Sequence, residues 1–462
     1  MAKKHIHLIG IGGISMSGIA KLLLLRDYKV SGSDIKDSNT IKNLKKLGAK
    51  IEVGHNSNNI KKWGIPDFVV NSSAIDDNNS ELKMANKLGI KILKRAEMLS
   101  KLMEDKKTIA VSGTHGKTTT TGLIATMMQN SEKYDPTTMI GGNLPSIQGN
   151  IKSGTDNYFV TEADESDGSL LYFDPYISVV TNIELEHLDF YTNKKKLQNT
   201  FKNFINKTAA SGKSIVCAED KIIRELIDLD NDKIISYGFE NGKIRANNIN
   251  YLPFGSLFDV EFNNKKIGEI NLQIPGKYNI LNSLAAIAVG LYLGLSFTEI
   301  KKGIEKFSGV KRRFEKKALI KDVLIIDDYA HHPTEIKETL KAAVNTGFNR
   351  VIAIFQPHRY SRTKYLFKEF CNSFSDADRL IITDVYSADE KIKDEEDKYL
   401  AKNMAEECSK IYDFKVEYIK NLSKIPDYLN SIIESRDIVI TIGAGDIYKS
   451  GEKLIKIMKT NT

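Results

Sequence analysis

Residues 108–129 read TIAVSGTHGKTTTTGLIATMMQ, and the rest of the chain is organised around this stretch. Residues 108–111 are a short β-type run, residues 112–116 a turn, and Lys117 with its threonines opens a helix. Unpaired backbone N–H groups and a helix dipole converge on such a turn, so it suits a phosphate. Lys117 is placed to reach the terminal phosphates of a nucleotide, and the Thr118 hydroxyl to ligate Mg²⁺. Val111 stands where the longer phosphate-loop pattern has its first glycine. Only the back half of that pattern is matched, with Gly113 as the remaining turn glycine.

Downstream, two hydrophobic strands run into polar clusters. Residues 158–167, YFVTEADESD, place four acids within six residues of a strand end. Like charges packed this closely repel unless solvated or neutralised by cations. Glu162 is the first of them, at the edge where open α/β sheets hold ligands, and reads as a Mg²⁺ ligand. Residues 177–181 lead into NIELEHLD, where His187 is placed beside carboxylates around a phosphate-bound metal, although hard ions prefer oxygen. Residues 138–143 read as a loop in which Asn143 either bonds a polar substrate or serves the turn. Residues 194–213 have a helical pattern, and residues 243–274 alternate like an antiparallel appendage. Asn279 and Asn282 share one face near the start of a helix. An amide there either reads an adenine edge or caps the helix.

Upstream, strand, GIGGISMSG (residues 10–18), helix, strand and Asp34 follow the layout of a dinucleotide-binding unit. Gly10, Gly12 and Gly13 allow backbone to approach a diphosphate, and Asp34 is spaced to meet a ribose hydroxyl. Any diphosphate-bearing ligand satisfies this geometry, and the elements after Asn39 are short for a full dinucleotide domain. His5 and His7 alternate on a strand and read as packing or solvated histidines.

The C-terminal third opens on a basic junction in which Arg313 is placed to reach a transferring phosphoryl group. The strand at 323–326 ends in DDYAHHPTE (327–335), and residues 351–355 run into QPHRYSRT (356–363). Arg359 and Arg362 offer planar forks suited to a carboxylate. Of His331 and His332, one is expected to face the cleft and the other to be structural. Strands alternating with helices predict another parallel α/β domain.

The 462 residues are 41% hydrophobic and 27% charged, an ordinary globular composition too long for one core. The net charge of +8 reads as a solvated lysine surface that attracts anionic substrates, not as nucleic-acid binding. Three isolated cysteines predict neither a disulfide framework nor a zinc site. No run of eighteen apolar residues is present, and the start MAKKHIHLIGIGG goes straight into a strand, so no membrane insertion and a cytoplasmic location are expected. A diphosphate turn, a triphosphate and Mg²⁺ apparatus, and an arginine–histidine surface together suit ATP-driven joining of a nucleotide-carrying acid to an amine. Carboxylate oxygen would attack the γ-phosphate, and the amine would then displace phosphate from the acyl phosphate.

Taken in order, GIGGISMSGIA (10–20), SGTHGKTTT (112–120), EADESDGS (162–169), TNIELEHLD (181–189), PGKYNILNSLAA (275–286), DDYAHHPTE (327–335) and QPHRYSRT (356–363) resemble the Mur ligases of peptidoglycan synthesis. The resemblance implies three α/β domains: a Rossmann-like UDP-substrate domain (1–105), a central P-loop ATPase-like domain with a mostly parallel sheet (106–310), and a C-terminal Rossmann-like domain (311–462). It implies addition of L-alanine to UDP-N-acetylmuramate, with ATP and two Mg²⁺ ions, in a bacterial cytoplasm, by a monomer or weak dimer. ATP would be held by Gly113, Thr114, His115, Gly116, Lys117, Thr118, Thr119, Asn279, Asn282, Arg313 and Asp328. The UDP substrate would meet Gly10, Gly12, Gly13, Ser15, Asp34, Ser72, His115, Asn143 and Glu162. The metal ions would be held by Thr118, Glu162 and His187. Tyr329, His331, His358 and Arg359 would line the amino-acid site, with Lys117, His331, His358 and Arg359 catalytic and His331 the base. Lys202 lies where some related ligases carry a carbamylated lysine, a modification not expected in the alanine-adding branch. The alternatives are the recycling ligase that attaches a tripeptide, a Rossmann oxidoreductase favoured only by residues 10–34, and a non-catalytic UDP-sugar-binding module.

Overall fold

The computed structural model describes residues 3–72, 74–186, 190–191, 193–388, 390, 392, 397 and 400–460. Three sheets follow one another along the chain. The first has the order β3-β2-β1-β4-β5, from β1 (His5–Ile9), β2 (Lys29–Asp34), β3 (Lys50–Val53), β4 (Phe68–Asn71) and β5 (Lys91–Lys94). All its pairings are parallel. Helices α1 (Ile14–Leu25), α2 (Asn39–Lys46), α3 (Ser80–Lys87) and α4 (Arg95–Met103) accompany it. The order reverses across β1, so the loop after β1 lies at the switch point where such sheets take ligands. His5 and His7 both hydrogen-bond the Ser31 hydroxyl at 2.8 Å. His7 Nε2 also meets the fully buried Glu81 carboxylate at 3.0 Å, a packing role for both histidines.

The second sheet carries the phosphate turn. It contains β6 (Lys107–Ser112), β7 (Thr137–Leu144), β8 (Gly149–Lys152), β9 (Tyr158–Glu162), β10 (Ile177–Val180), β11 (Lys213–Cys217), β12 (Ile234–Gly238), β13 (Ile244–Leu252), β14 (Gly255–Phe262) and β15 (Lys265–Leu272). Their order is β15-β14-β13-β12-β11-β10-β6-β9-β7-β8. β6 is flanked by β10 and β9, both parallel to it, so the ends of three neighbouring strands converge on the phosphate turn. Its helices are α5 (Lys117–Gln129), α6 (Lys194–Asn206), α7 (Lys221–Leu226), α8 (Lys277–Tyr292) and α9 (Phe297–Glu305).

Two local expectations are corrected here. Residues 138–143 are not a loop but part of β7, because Thr137–Met139 pair in parallel with β9 and the strand pairs back on β8. The helix expected over 194–213 ends at Asn206, and the Thr208 hydroxyl then bonds Ser178 and Ser214 inside the fold. The backbone leaves the helix at this point, Ala209 N–H donating to Pro175 O (2.9 Å) and Gly212 N–H to Ala209 O (2.8 Å) in a turn that leads into β11.

The third sheet has the order β16-β17-β21-β18-β19-β20, from β16 (Glu315–Ile320), β17 (Val323–Asp328), β18 (Arg350–Phe355), β19 (Arg379–Ile382), β20 (Lys415–Tyr418) and β21 (Asp437–Ile442). All are parallel except the edge pair β16–β17. Leu324 and Ile326 pack into one core with Ala353, Phe355 and Ile440, while Val323 and Ile325 pack into another with Ile352, Ile354 and Val439. Alternate side chains thus feed two cores, which is why these strands read as unbroken apolar runs. Helix α10 (Pro333–Val344) follows β17.

Contacts group the chain into two compact units. One comprises Met1–Asn247, Val260–Gly268 and Leu281–Phe307, and the other Asn248–Asp259, Glu269–Ile280 and Ser308–Thr462. No helix among the described residues is long and apolar enough to cross a membrane.

Candidate active site

In the first unit, β6 ends at Ser112 and α5 starts at Lys117, with Gly113 at φ 133° and Gly116 at φ 84° between them. The turn is buttressed by the segment after β10. Thr114 N–H donates to Asn182 O (3.0 Å) and His115 N–H to Asn182 Oδ1 (2.8 Å). The Thr181 hydroxyl donates to His115 O (2.6 Å), and His115 Nε2 lies 3.0 Å from Glu184. A side chain at Gly113 would put its Cβ 2.1 Å from Thr181 Oγ1, on a backbone conformation that L-residues avoid. Gly113→Ala is therefore expected to lower affinity for adenine nucleotide by at least about tenfold in calorimetric titration. Unchanged affinity would show that the turn adapts.

Lys117 Nζ sits 2.9 Å from both Glu165 oxygens and donates to Gly113 O at 2.6 Å. Burial opposes its charge, but the carboxylates of Glu165, Asp164 and Glu162 outweigh it and hold the ammonium above its ordinary pKa. Burial likewise opposes ionisation of Asp164, and Lys117 and the Ser166 N–H reverse it, so that carboxyl titrates below the ordinary range. The Tyr191 hydroxyl donates to Glu165 O at 2.6 Å and fixes the acidic turn from behind. Thr118 is buried, and its hydroxyl donates to Glu162 Oε2 at 3.2 Å. Glu162 Oε1 accepts Gly141 N–H from β7 at 2.6 Å. Hydroxyl and carboxylate side by side form a hard-oxygen donor set that fits Mg²⁺. His187 lies outside the described residues. Thr119 is buried in the first turn of α5, Lys202 is on the exposed face of α6, and Asn143 is exposed near the end of β7.

Asn282 Oδ1 accepts the Thr120 hydroxyl at 3.1 Å, and a Cβ on Gly116 would meet that oxygen at 2.5 Å. Its carbonyl therefore backs the phosphate turn. In the second unit, the Asn279 amide donates to Pro275 O at 2.6 Å, securing the start of α8.

At the switch point of the first sheet, Asp34 Oδ2 accepts Gly12 N–H at 2.8 Å and Oδ1 accepts Lys36 N–H at 3.1 Å. Asp34 fastens the glycine loop as well as lying beside it. Ser72 packs against Gly10, where a Cβ would come within 3.3 Å of its own, and Gly13 is the N-cap of α1. Ser15, in the first turn of that helix, accepts a hydrogen bond from Arg95 Nη1 at 3.1 Å.

The second unit gathers the remaining candidates at the ends of β17 and β18. Asp328 is buried and accepts Phe314 N–H (2.6 Å) and Ala330 N–H (2.7 Å). Burial pushes its carboxyl up to about 6 against the pull of Arg313. Arg312 is a structural clamp: it pairs with Asp327 at 3.1 Å, donates to Gly443 O, and lies between the Tyr329 and Tyr448 rings. Arg313 lies over the other side of the junction, 5.2 Å from the Tyr329 ring centroid and 3.7 Å from Glu335. His331 Nδ1 donates to Tyr329 O at 3.0 Å, which places a proton on Nδ1 and orients the ring. Its ring centroid is 5.9 Å from that of His358, which stacks on Tyr386. Burial, with His331, Arg362 and Arg359 nearby, drives His358 down to about 3. It is neutral at pH 7, and its Nδ1 accepts from Arg362 at 3.2 Å. Arg359 holds φ 68° with ψ 135°, a strained backbone kept by its N–H bond to Tyr386 O. His332 is buried and caps α10, so the two adjacent histidines divide their tasks.

Several contributors escape a reading of the sequence. Glu165 was one of four acids in a run, and nothing local marked it as the partner of Lys117. Thr181 and Asn182 open the TNIELEHLD motif, but nothing in it assigns them to the phosphate turn, which they hold. Glu335 and Tyr386 orient the histidines from positions far from one another along the chain.

Profiles for three families match in succession: the "Mur ligase family, catalytic domain" over residues 5–107, the "Mur ligase middle domain" over 111–290, and the "Mur ligase, glutamate ligase domain" over 312–445. The chain is 42% identical over 457 residues to the UDP-N-acetylmuramate–L-alanine ligase of Geotalea daltonii, covering 99% of this chain and 98% of that one. It is 44% identical over 454 residues to the enzyme of that name from Clostridium acetobutylicum, covering 98% and 97%. Among solved structures, UDP-N-acetylmuramate-alanine ligase MurC from Thermotoga maritima superposes with a TM-score of 0.84 at 28% identity, covering 99% and 100%.

Proposed function

The chain belongs to the Mur ligase family, and from that premise we propose that it joins L-alanine to the carboxylate of UDP-N-acetylmuramate, converting ATP to ADP and phosphate. The observation that carries this reading is the phosphate turn with Lys117 and the Thr118–Glu162 pair, in a chain matched end to end by L-alanine-adding relatives.

The residues divide the work as follows. The carboxylate oxygen of UDP-N-acetylmuramate attacks the γ-phosphorus, the bond to the β-phosphate oxygen breaks, and ADP leaves. Lys117 exchanges Glu165 for the terminal phosphates, and its ammonium offsets the charge that spreads over the transferring group. Mg²⁺, when bound by Thr118 and Glu162, supplies further charge neutralisation at the phosphates. The glycine loop with Ser15 and Ser72 receives the UDP portion, and Asp34 keeps that loop in shape. Arg359 presents its guanidinium to the carboxylate of alanine. Alanine arrives as an ammonium ion, and His331 Nε2 takes its proton. The free amine then attacks the acyl carbon, and phosphate departs. Neutral His358, held by Arg362 and Tyr386, supports that pocket without adding a charge that would repel the ammonium. Two Mg²⁺ ions, a bacterial cytoplasmic setting and a monomer or weak dimer complete the reading.

The test is phosphate release from ATP with Mg²⁺, UDP-N-acetylmuramate and either L-alanine or the L-alanyl-γ-D-glutamyl-diaminopimelate tripeptide. Turnover is expected with L-alanine at about 1–10³ s⁻¹. Turnover with the tripeptide and none with L-alanine would assign the chain to the recycling branch instead.

A further inference from the structure

We propose that Arg95 is a positioning residue that braces the glycine loop of the first sheet against the acidic turn behind Lys117. It thereby sets the reach of the UDP-N-acetylmuramate carboxylate toward ATP. The proposal rests on the ligase reading above and deepens it.

Arg95 is the first residue of α4, and its side chain is 17% exposed, so its fork is held and not waving in solvent. One prong, Nη1, donates to the Ser15 hydroxyl in the first turn of α1 at 3.1 Å. The other, Nη2, donates to the Ser169 hydroxyl at 3.4 Å and lies 3.7 Å from Asp167. Ser15 follows directly on the glycine loop. Asp167 lies in the turn that follows Asp164 and Glu165, where Lys117 is paired, and Ser169 opens the short 3₁₀ helix (Ser169–Tyr172) directly after it. A single guanidinium thus joins the start of α1 to the turn that controls the phosphate-loop lysine. A second tie supports the same helix end, because the Asn150 amide of β8 donates to Ile14 O at 2.8 Å.

A brace of this kind acts on alignment. The attacking carboxylate is carried by the molecule held on the first sheet, and the γ-phosphate is held on the second. Their approach depends on how α1 is fixed to the turn after β9, and in-line attack loses rate steeply with small misplacement. ATP binding by itself does not use that distance. Only a planar fork serves two acceptors lying in different directions, which a lysine point charge cannot reproduce.

The experiment measures kcat/KM for UDP-N-acetylmuramate, and separately the Kd for Mg²⁺ with a non-hydrolysable ATP analogue alone. The chains are the unsubstituted one, Arg95→Ala, Arg95→Lys, the pair Asp167→Asn with Ser169→Ala, and the triple combination with Arg95→Ala. Arg95→Ala is expected to lower kcat/KM by at least about tenfold and to leave nucleotide Kd within about twofold. Arg95→Lys is expected to behave like Arg95→Ala. The Asp167/Ser169 pair should show a loss of the same kind, to which Arg95→Ala adds nothing further. A defective Arg95→Ala beside an unaffected Asp167/Ser169 pair would mean that Arg95 touches the diphosphate directly, which overturns the brace. Full activity of Arg95→Lys, or loss of nucleotide binding along with turnover, overturns it too. Turnover by the unsubstituted chain separately controls the ligase reading.

Discussion

Lys117→Ala is expected to abolish turnover, lowering kcat by at least about 10³-fold while UDP-N-acetylmuramate Kd stays within about twofold. The ammonium contacts both oxygens of Glu165 and the carbonyls of Gly113 and Thr114, so it is already held where the proposed reading puts the terminal phosphates. In the proposed reading the UDP portion is received by the glycine loop after β1, a different sheet edge, which is why its affinity should survive. A second consequence concerns stability. Glu165 is 1% exposed, and losing its ammonium costs about 3 kcal/mol. Lys117→Ala should therefore also melt at a lower temperature, and the double substitution with Glu165→Gln should recover stability without recovering turnover. Weakened UDP-N-acetylmuramate binding in the stable double variant would refute the placement of the two substrates on separate sheets.

Glu162→Gln is expected to lower kcat by at least about 10²-fold even at saturating Mg²⁺. Its two oxygens are differently engaged: one accepts Gly141 N–H from β7 and the other meets the Thr118 hydroxyl. The amide keeps the shape and one acceptor but removes the charge that a divalent cation needs. Mg²⁺-dependent binding of an ATP analogue, followed by calorimetry, reports this without turnover. The gain in nucleotide affinity on adding Mg²⁺ should shrink in Glu162→Gln and persist in Asn143→Ala, whose side chain is exposed near the end of the same β7 strand. An undiminished Mg²⁺ effect in Glu162→Gln would remove this carboxylate from the metal site.

Much of the architecture was legible because it depends on local pattern. The phosphate turn declared itself through two glycines, a lysine and a threonine in fixed order, and unbroken apolar runs marked strands buried on both faces. Where a tertiary partner decides, the reading went astray. Residues 138–143 carry two glycines and look like a loop, yet pairing with β9 and β8 makes them a strand that delivers Gly141 N–H to Glu162. Asp34 was spaced to meet a ribose, and the fold also gives it the Gly12 amide to hold.

The amino-acid order by itself determined the three successive α/β segments, the phosphate turn, and the two acidic and histidine-bearing strand ends. Backbone propensity, glycine placement and residue chemistry act over a few neighbours, and a linear string contains them. Only the tertiary structure decided which acid pairs with Lys117, which His331 nitrogen donates to the Tyr329 carbonyl, and why His358 is uncharged. It also brought Arg95 between Ser15 and Ser169, 80 and 74 residues away along the chain. Those outcomes depend on distances of about 3 Å between residues remote in sequence, and on burial, which no local pattern encodes.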